Sequence, residues 1–422
     1  MIKQYLKQAI RLISENKLLS VISILGTALA ICMIMVIVIL YVVNTASFKP
    51  EVNRSRTYYF TTVKALGKED GRRVSYSQAA LPLVRACYYP LDCAEVVTAV
   101  YRDDYTKMTA TGMDGINSYS CTPLFTDTAF WKLFEFDFID GGPFSKADFE
   151  SGLKEVVISE SLARSIFGSE KVVGQEFKLE FVPFRICGVV KDVSRFANKA
   201  YADIWAPYTF QAGYDRGGNE GISGSFSCYA LLKEGYTQED MRKEVLNRLA
   251  TFNSTLTNFK ADINYQPRSQ MEEWIGGGYE SETNMKTHYL RYGSILFILL
   301  LVPALNLSGI TLTRMKKRIA ELGVRRAFGA TRGQIIGQVL LENMALTLLG
   351  GVIGLAFSYV AMLLLRDWLL VSTLGEAGMS LGMFNGYVFL AAFFFCLVMN
   401  LMSAGLPAYR VSSKNITDSI NS

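Results

Sequence analysis

Leu18–Val43 is a run of 26 residues without a single charged side chain. As a helix it would extend about 39 Å, more than the roughly 30 Å hydrocarbon core of a bilayer. It is too long for the apolar core of a signal peptide and lacks a convincing small-residue cleavage site. The run therefore reads as a retained membrane span whose far end continues as a stalk. Three more apolar runs follow at Gly293–Thr313, Ile335–Leu365 and Gly386–Leu406. The reading is a membrane protein with four transmembrane α-helices and a large extracytoplasmic domain inserted between spans 1 and 2.

Charge supports this division. Residues 45–288 carry 28 basic and 32 acidic side chains, whereas the rest of the chain carries 15 and 6. The basic excess thus lies beside the apolar runs, as positive-inside loops require, and argues against a nucleic-acid surface. Residues 2–17 space Ile2, Tyr5, Leu6, Ala9, Ile10 and Ile13 helically among Lys3, Lys7, Arg11 and Lys17, the pattern of an interfacial amphipathic helix. Both termini are expected in the cytoplasm, with the protein in the cytoplasmic (inner) membrane.

The expected divisions are an interfacial helix at 1–17, span 1 and its stalk at 18–44, and the extracytoplasmic domain at 45–279. A stalk and span 2 occupy 280–313, a cytoplasmic elbow 314–334 and span 3 335–365. A short outer loop at 366–385, span 4 at 386–406 and a cytoplasmic tail at 407–422 complete the chain. Pro303 should kink span 2, and Asn306 and Ser308 suit a helix seam. Gly350, Gly351 and Gly354 include a small-xxx-small spacing that permits close helix packing in span 3.

Within the soluble domain, strands are expected at Thr57–Val63, Glu95–Tyr101, Tyr105–Gly112, Glu155–Ile158, Phe177–Leu179 and Phe184–Lys191. Ser75 with Gln78 resembles a capping box and predicts a helix through about Tyr88. Further helices are expected at Asp127–Phe134, Glu160–Phe167 and from Thr237 to about Thr251, the last with Glu239 and Asp240 suiting the helix dipole. Strands mixed with separate helices argue an α+β fold. Gly141-Gly142-Pro143 reads as a turn, and 213–227, with five glycines, as a surface loop. Gly276-Gly277-Gly278 serves as either a hinge or a flexible linker.

The stretch Arg314–Glu342 holds seven basic residues, Arg314, Lys316, Lys317, Arg318, Arg325, Arg326 and Arg332, against Glu321 and Glu342. It fixes the orientation of the spans. Gly329 is placed to end one helix in a left-handed conformation, and Thr331 with Gln334 to open the next. A short basic corner of this kind is a docking point for a soluble partner. Glu342 is either a hydrated carboxylate at the membrane edge or the ion-pair partner of Arg325 or Arg326.

Signatures of chemistry are absent from the sequence. There is no G-x-x-x-x-G-K-[ST], G-x-S-x-G or H-E-x-x-H, and His288 is the sole histidine. A catalytic pairing of Glu155 with Glu160 is outweighed by a solvated surface. No span carries a buried series of Asp, Glu or Lys, against an ion channel or a proton-coupled carrier. Of seven cysteines, Cys87 and Cys93 are the closest candidate disulfide pair; free buried thiols are the equal alternative.

The segment Arg318–Glu321–Leu322–Gly323–Val324–Arg325–Arg326–Ala327–Phe328–Gly329–Ala330–Thr331 closely resembles the signature of the MacB-like/FtsX-like ABC transporter permeases. Val156–Ala163, Phe167-Gly168, Val173-Gly174-Gln175 and Gly188–Asp192 resemble their periplasmic core domain, and Pro407–Ser412 their C-terminal end. The resemblance implies four spans, a dimer of identical or different permease chains, and a cytoplasmic ABC ATPase subunit seated on a coupling helix. Ile319, Glu321, Leu322, Gly323, Val324, Arg325, Arg326, Phe328 and Gly329 would form that coupling surface. ATP and Mg would sit on the partner; this chain would carry no cofactor or metal and perform no catalysis. The ATPase is expected to be a separate polypeptide. Motion would pass along stiff helices to the outer domain, for export of a peptide, drug or lipoprotein, with a periplasmic adaptor as a further partner. Alternatives are control of a cell-wall hydrolase without cargo, or a receptor or scaffold lacking an ATPase.

Overall fold

The computed structural model describes residues 21–22, 24–29, 32–33, 37, 41, 44–69, 74–102, 107–211, 213–276, 284–295, 297–298, 301, 328–370, 390, 394, 397–398 and 401. The chain divides into two compact units, residues 42–285 with 367–380, and residues 1–41, 286–366 and 381–422. The expected interfacial helix, the C-terminal tail and most of spans 1, 2 and 4 lie outside the described residues, as do Pro303, Asn306 and Ser308.

The first unit is α+β. Its strands are β1 (Thr57–Phe60), β2 (Val63–Gly67), β3 (Val74–Ala79), β4 (Ala94–Tyr101), β5 (Met108–Gly112), β6 (Ser118–Cys121), β7 (Pro123–Thr126) and β8 (Phe138–Gly141). They continue as β9 (Glu155–Ser159), β10 (Glu176–Leu179), β11 (Val182–Val190), β12 (Ile204–Pro207), β13 (Ser223–Gly224), β14 (Phe226–Leu232), β15 (Phe259–Asp262) and β16 (Arg268–Ser269). One path of pairing runs β15-β2-β3-β14-β4-β7-β12-β9-β11-β10-β5-β6, with β1 bridging β14 and β16. Pairing is antiparallel except β9 with β11 and β7 with β12. Every residue of β14 is buried, which fits its place between β1 and β4.

The helices are α1 (Leu81–Leu83), continued by a π-turn at Val84–Tyr88, α2 (Phe130–Leu133), α3 (Lys146–Ser151), α4 (Glu160–Phe167), α5 (Gln238–Thr255) and α6 (Gln270–Ile275). Reciprocal capping boxes open α3, α5 and α6, at Ser145 with Asp148, Thr237 with Asp240, and Ser269 with Glu272. Each satisfies orphan N–H groups of its first turn. Met241, Val245 and Leu249 recur every four residues along α5 and are buried, each contributing about 1.5–3 kcal/mol of apolar burial. Asp127, buried before α2, accepts from the N–H groups of Ala129 and Phe130 and from Ala99, Thr98 and Tyr89, so one carboxylate caps a helix and ties it to β4.

Four local expectations are corrected. Ser75 and Gln78 open no helix: 74–79 is β3, paired along β2. Its alternating V-S-Y-S-Q-A favours cross-strand pairing over helix, and the helix starts only at Leu81, where Pro82 stands in the first turn. The expected single strand from Thr57 is two. The buried Gln266 side chain accepts from the N–H groups of Thr61 and Thr62 and donates to the Thr62 carbonyl, holding the chain between β1 and β2 off the ladder. Segment 213–227 is more than a surface loop. It buries Ile222 fully and supplies β13 and the start of β14. Gly141, expected in a turn, ends β8 opposite Gly188, where a Cβ would lie 2.2 Å from the Cys187 carbonyl oxygen.

In the second unit, residues 24–29 and 286–295 are helical. Helix α7 (Arg332–Leu370) runs 39 residues, all but its last four within this unit. The expected third span, Ile335–Leu365, lies inside α7, and the expected outer loop begins with five residues that are still helical.

Candidate functional site

Most of the cytoplasmic elbow, including Ile319, Glu321, Leu322, Gly323, Val324, Arg325 and Arg326, lies outside the described residues. Its end is described. Phe328 is 89% exposed. Gly329 has φ +96°, in the region that favours glycine. The Thr331 N–H donates to Gln334 Oε1 at 2.9 Å and the Gln334 N–H to Thr331 Oγ1 at 3.3 Å, a reciprocal box immediately before α7. The side chains of Arg332 and Glu342 are not among those described, nor is an ion pair between Glu342 and the elbow arginines.

The small-residue stripe of α7 meets the N-terminal helix. Gly350, Gly351, Gly354 and Ser358 are buried, and so are Thr27 and Ala28. A Cβ on Gly350 would lie 2.8 Å from Thr27 Cβ and 3.1 Å from the Ile24 carbonyl oxygen. The missing side chain therefore sets how closely the two helices pack.

A polar clasp lies where the chain joins the α+β unit. Inbound residues 44–56 and outbound helix α6 converge on the loop 196–201. Glu51 and Arg54 form an ion pair at 2.6 Å with 1% and 0% of their side chains exposed. The other Glu51 oxygen accepts from the N–H groups of Lys199 at 2.9 Å and Ala200 at 3.0 Å. Arg54 also donates to the carbonyls of Ala46 and Phe196 and stacks over Phe48, 4.1 Å from the ring centroid. A buried ion pair is tolerable when its remaining donors and lone pairs are satisfied in this way.

Lys199 carries the outbound half. Its Nζ donates to Glu273 of α6 at 3.0 Å and lies 5.0 Å from the Tyr59 ring centroid. Burial pulls its pKa down, but the Tyr229, Glu273 and Glu51 groups around it more than offset this, leaving it above the usual lysine value. Glu273 also accepts from Thr61 Oγ1, and Gln270 Nε2 donates to the Asn44 carbonyl, so the inbound and outbound segments touch directly. The sequence reading missed this clasp. Its members are separated by up to 226 residues, and no spacing announces them.

Cys87 and Cys93 are both free and buried, so the candidate disulfide is absent. Burial pushes each thiol up to about 12. Among the described residues no cluster of His, Cys, Asp and Glu could hold a metal.

Two family models cover most of the chain, the MacB-like periplasmic core domain over residues 20–248 and the FtsX-like permease C-terminal region over 293–416. The chain is 30% identical over 219 residues to an uncharacterized ABC transporter permease, YknZ, of Bacillus subtilis (strain 168), covering 52% of this chain and 51% of that protein. It is 26% identical over 245 residues to the macrolide export ATP-binding/permease protein MacB 1 of Yersinia pestis bv. Antiqua (strain Antiqua), covering 57% of this chain and 35% of that one. Against the pyoverdine export ATP-binding/permease protein PvdT of Pseudomonas savastanoi pv. phaseolicola (strain 1448A / Race 6), identity is 29% over 237 residues, with 55% and 34% covered. The matches thus span about half or a third of these relatives' lengths. With both of its halves matched in order, the chain belongs to the MacB-like/FtsX-like ABC transporter permeases, a family of membrane proteins with an extracytoplasmic domain.

Proposed function

We propose that this chain is the permease subunit of an ABC transporter and relays the ATP-driven motion of a partner ATPase to its α+β domain. The relay serves export or extrusion of a peptide, drug or lipoprotein. Ile319, Leu322, Val324 and Phe328 supply the apolar contact to the ATPase, Arg325, Arg326 and Arg332 orient it, and ATP and Mg stay on the partner. A second permease chain completes the assembly.

The observation that carries this reading is the clasp. Force can reach the domain along the chain through the segments at residues 44 and 276. Both segments are bound to one short loop, through Glu51 on one side and Glu273 on the other. Such a joint lets either segment load the same part of the domain. The test is affinity purification of the full chain from membranes, with identification of what accompanies it. A stoichiometric ABC ATPase whose hydrolysis depends on the permease supports the proposal. A chain that purifies without any ATPase, or only with a cell-wall hydrolase, overturns the transport reading.

A further inference from the structure

The inbound and outbound segments of the α+β unit are held differently. The inbound segment 44–56 contains no glycine and includes Pro50. It is bound through backbone and buried charge. Pro50 O accepts from the Glu135 N–H, Arg56 O accepts from the Leu232 N–H, and Glu51 and Arg54 are sealed from solvent. Lys49 adds an ion pair to Asp137 at 2.6 Å. The outbound helix α6 is six residues long, and Gln270 is its one buried residue. Side chains tie it down: Glu273 to Lys199 and Thr61, Gln270 to Asn44, and Glu272 to Gln238. The Lys199–Glu273 side chains are 16% and 13% exposed, against 0% and 1% for Arg54 and Glu51. Helix α6 then ends at Gly276 with φ +70°, in a residue whose Cβ position is open space.

Lys199 stands at the junction of the two. Its backbone N–H serves the inbound carboxylate of Glu51, while its side chain serves the outbound carboxylate of Glu273. We propose that helix α6 is a detachable end of the α+β unit, with the Lys199–Glu273 pair as its releasable catch, while the inbound segment 44–56 stays fixed. The catch stands by itself; its use in transmitting motion rests on the permease reading above.

The two roles of Lys199 can be separated, because a side-chain substitution leaves its N–H in place. The experiment is hydrogen exchange by mass spectrometry on the full chain in lipid nanodiscs with its co-purified ATPase. In the wild type, amides of 270–276 exchange faster than those of 50–57 by about tenfold or more, as expected for a segment of lower local stability. Lys199→Met raises exchange at 270–276 by about a further tenfold and leaves 50–57 within about twofold. Lys199→Arg, which keeps the charge, restores much of the protection. Glu273→Gln, which keeps the volume, gives the Lys199→Met pattern and serves if that variant folds poorly. Equal protection of the two segments in the wild type overturns the proposal. So does loss of protection in both segments when the catch is broken. Adding a non-hydrolysable ATP analogue separates the two readings. A change at 270–276 with none at 50–57 supports both, and no change at either, with the asymmetry intact, overturns the permease reading alone.

Discussion

Glu51 and Arg54 lie 2.6 Å apart, three residues distant in sequence, and together they seal the inbound segment to the loop that contains Phe196 and Lys199. Removing one charge strands the other in a site without water. Glu51→Gln should therefore cost about 3–5 kcal/mol in unfolding free energy, measured by denaturant titration of the full chain in detergent. The double variant Glu51→Met with Arg54→Met should recover much of that loss, because it removes both charges together. Equal losses in the single and double variants would show that the stranded charge is not the cause.

Leu322→Asp places a charge at the centre of the proposed ATPase contact. The variant should insert normally and reach wild-type levels in membranes, while co-purification of the ATPase falls at least tenfold. Recovery of the ATPase at the normal ratio would remove Leu322 from the contact.

Gly350→Ala tests the helix seam with the smallest possible change. The new methyl would meet Thr27 at 2.8 Å and the Ile24 backbone at 3.1 Å, so the helices must separate. A loss of about 1–3 kcal/mol is expected, read as a lowered melting temperature in detergent. Thr27→Gly in the same chain should return part of it. The same alanine at Gly333, where nothing lies within 4 Å, should leave stability nearly unchanged.

Glu244 gives the acid limb of stability. Burial alone would raise its pKa, but N–H groups of Asp92 and Cys93 and the Arg248 guanidinium bind its charged form and hold it at about 2. A depressed carboxylate stabilises the fold above its unfolded value of about 4.3, and that contribution fades as pH falls towards 2. Denaturant midpoints should thus drop between pH 4.5 and pH 2.5 in the wild type, in a window of about two pH units. In Glu244→Gln the drop should be shallower.

Cys87 and Cys93, with thiols pushed to about 12, hold almost no thiolate at pH 8. Iodoacetamide should leave both unmodified in the native chain and alkylate both after denaturation without reductant. A requirement for reductant would reveal a disulfide.

What the sequence disclosed tracks the range of the interactions involved. Helix α5 was legible because its start is local: Thr237 and Asp240 act within three residues. The elbow's Thr331 and Gln334 were legible for the same reason. The stripe at Gly350 and Gly354 was visible as a spacing, though nothing in the spacing names Thr27 as its partner. Local rules failed where tertiary pairing outbid them. Ser75 and Gln78 have the right residues for a cap, yet β2 supplies a hydrogen-bonded neighbour that a cap cannot match. The clasp was illegible because Glu51, Lys199 and Glu273 become neighbours only after the sheet has formed. Ile222 was hidden by its glycine-rich surroundings, which look like solvent-exposed chain but pack against Ala80 and Pro82.

Strand β15 ends the sheet path, and its exposed rim is already occupied. Asn253 of α5 both donates to the Ala261 carbonyl at 2.9 Å and accepts from the Ala261 N–H at 2.7 Å, mimicking a neighbouring strand. A foreign polypeptide seeking to zip onto this border finds its central rung taken. Many copies of the domain can therefore be crowded side by side, or thrown repeatedly against other molecules, without fusing along that margin.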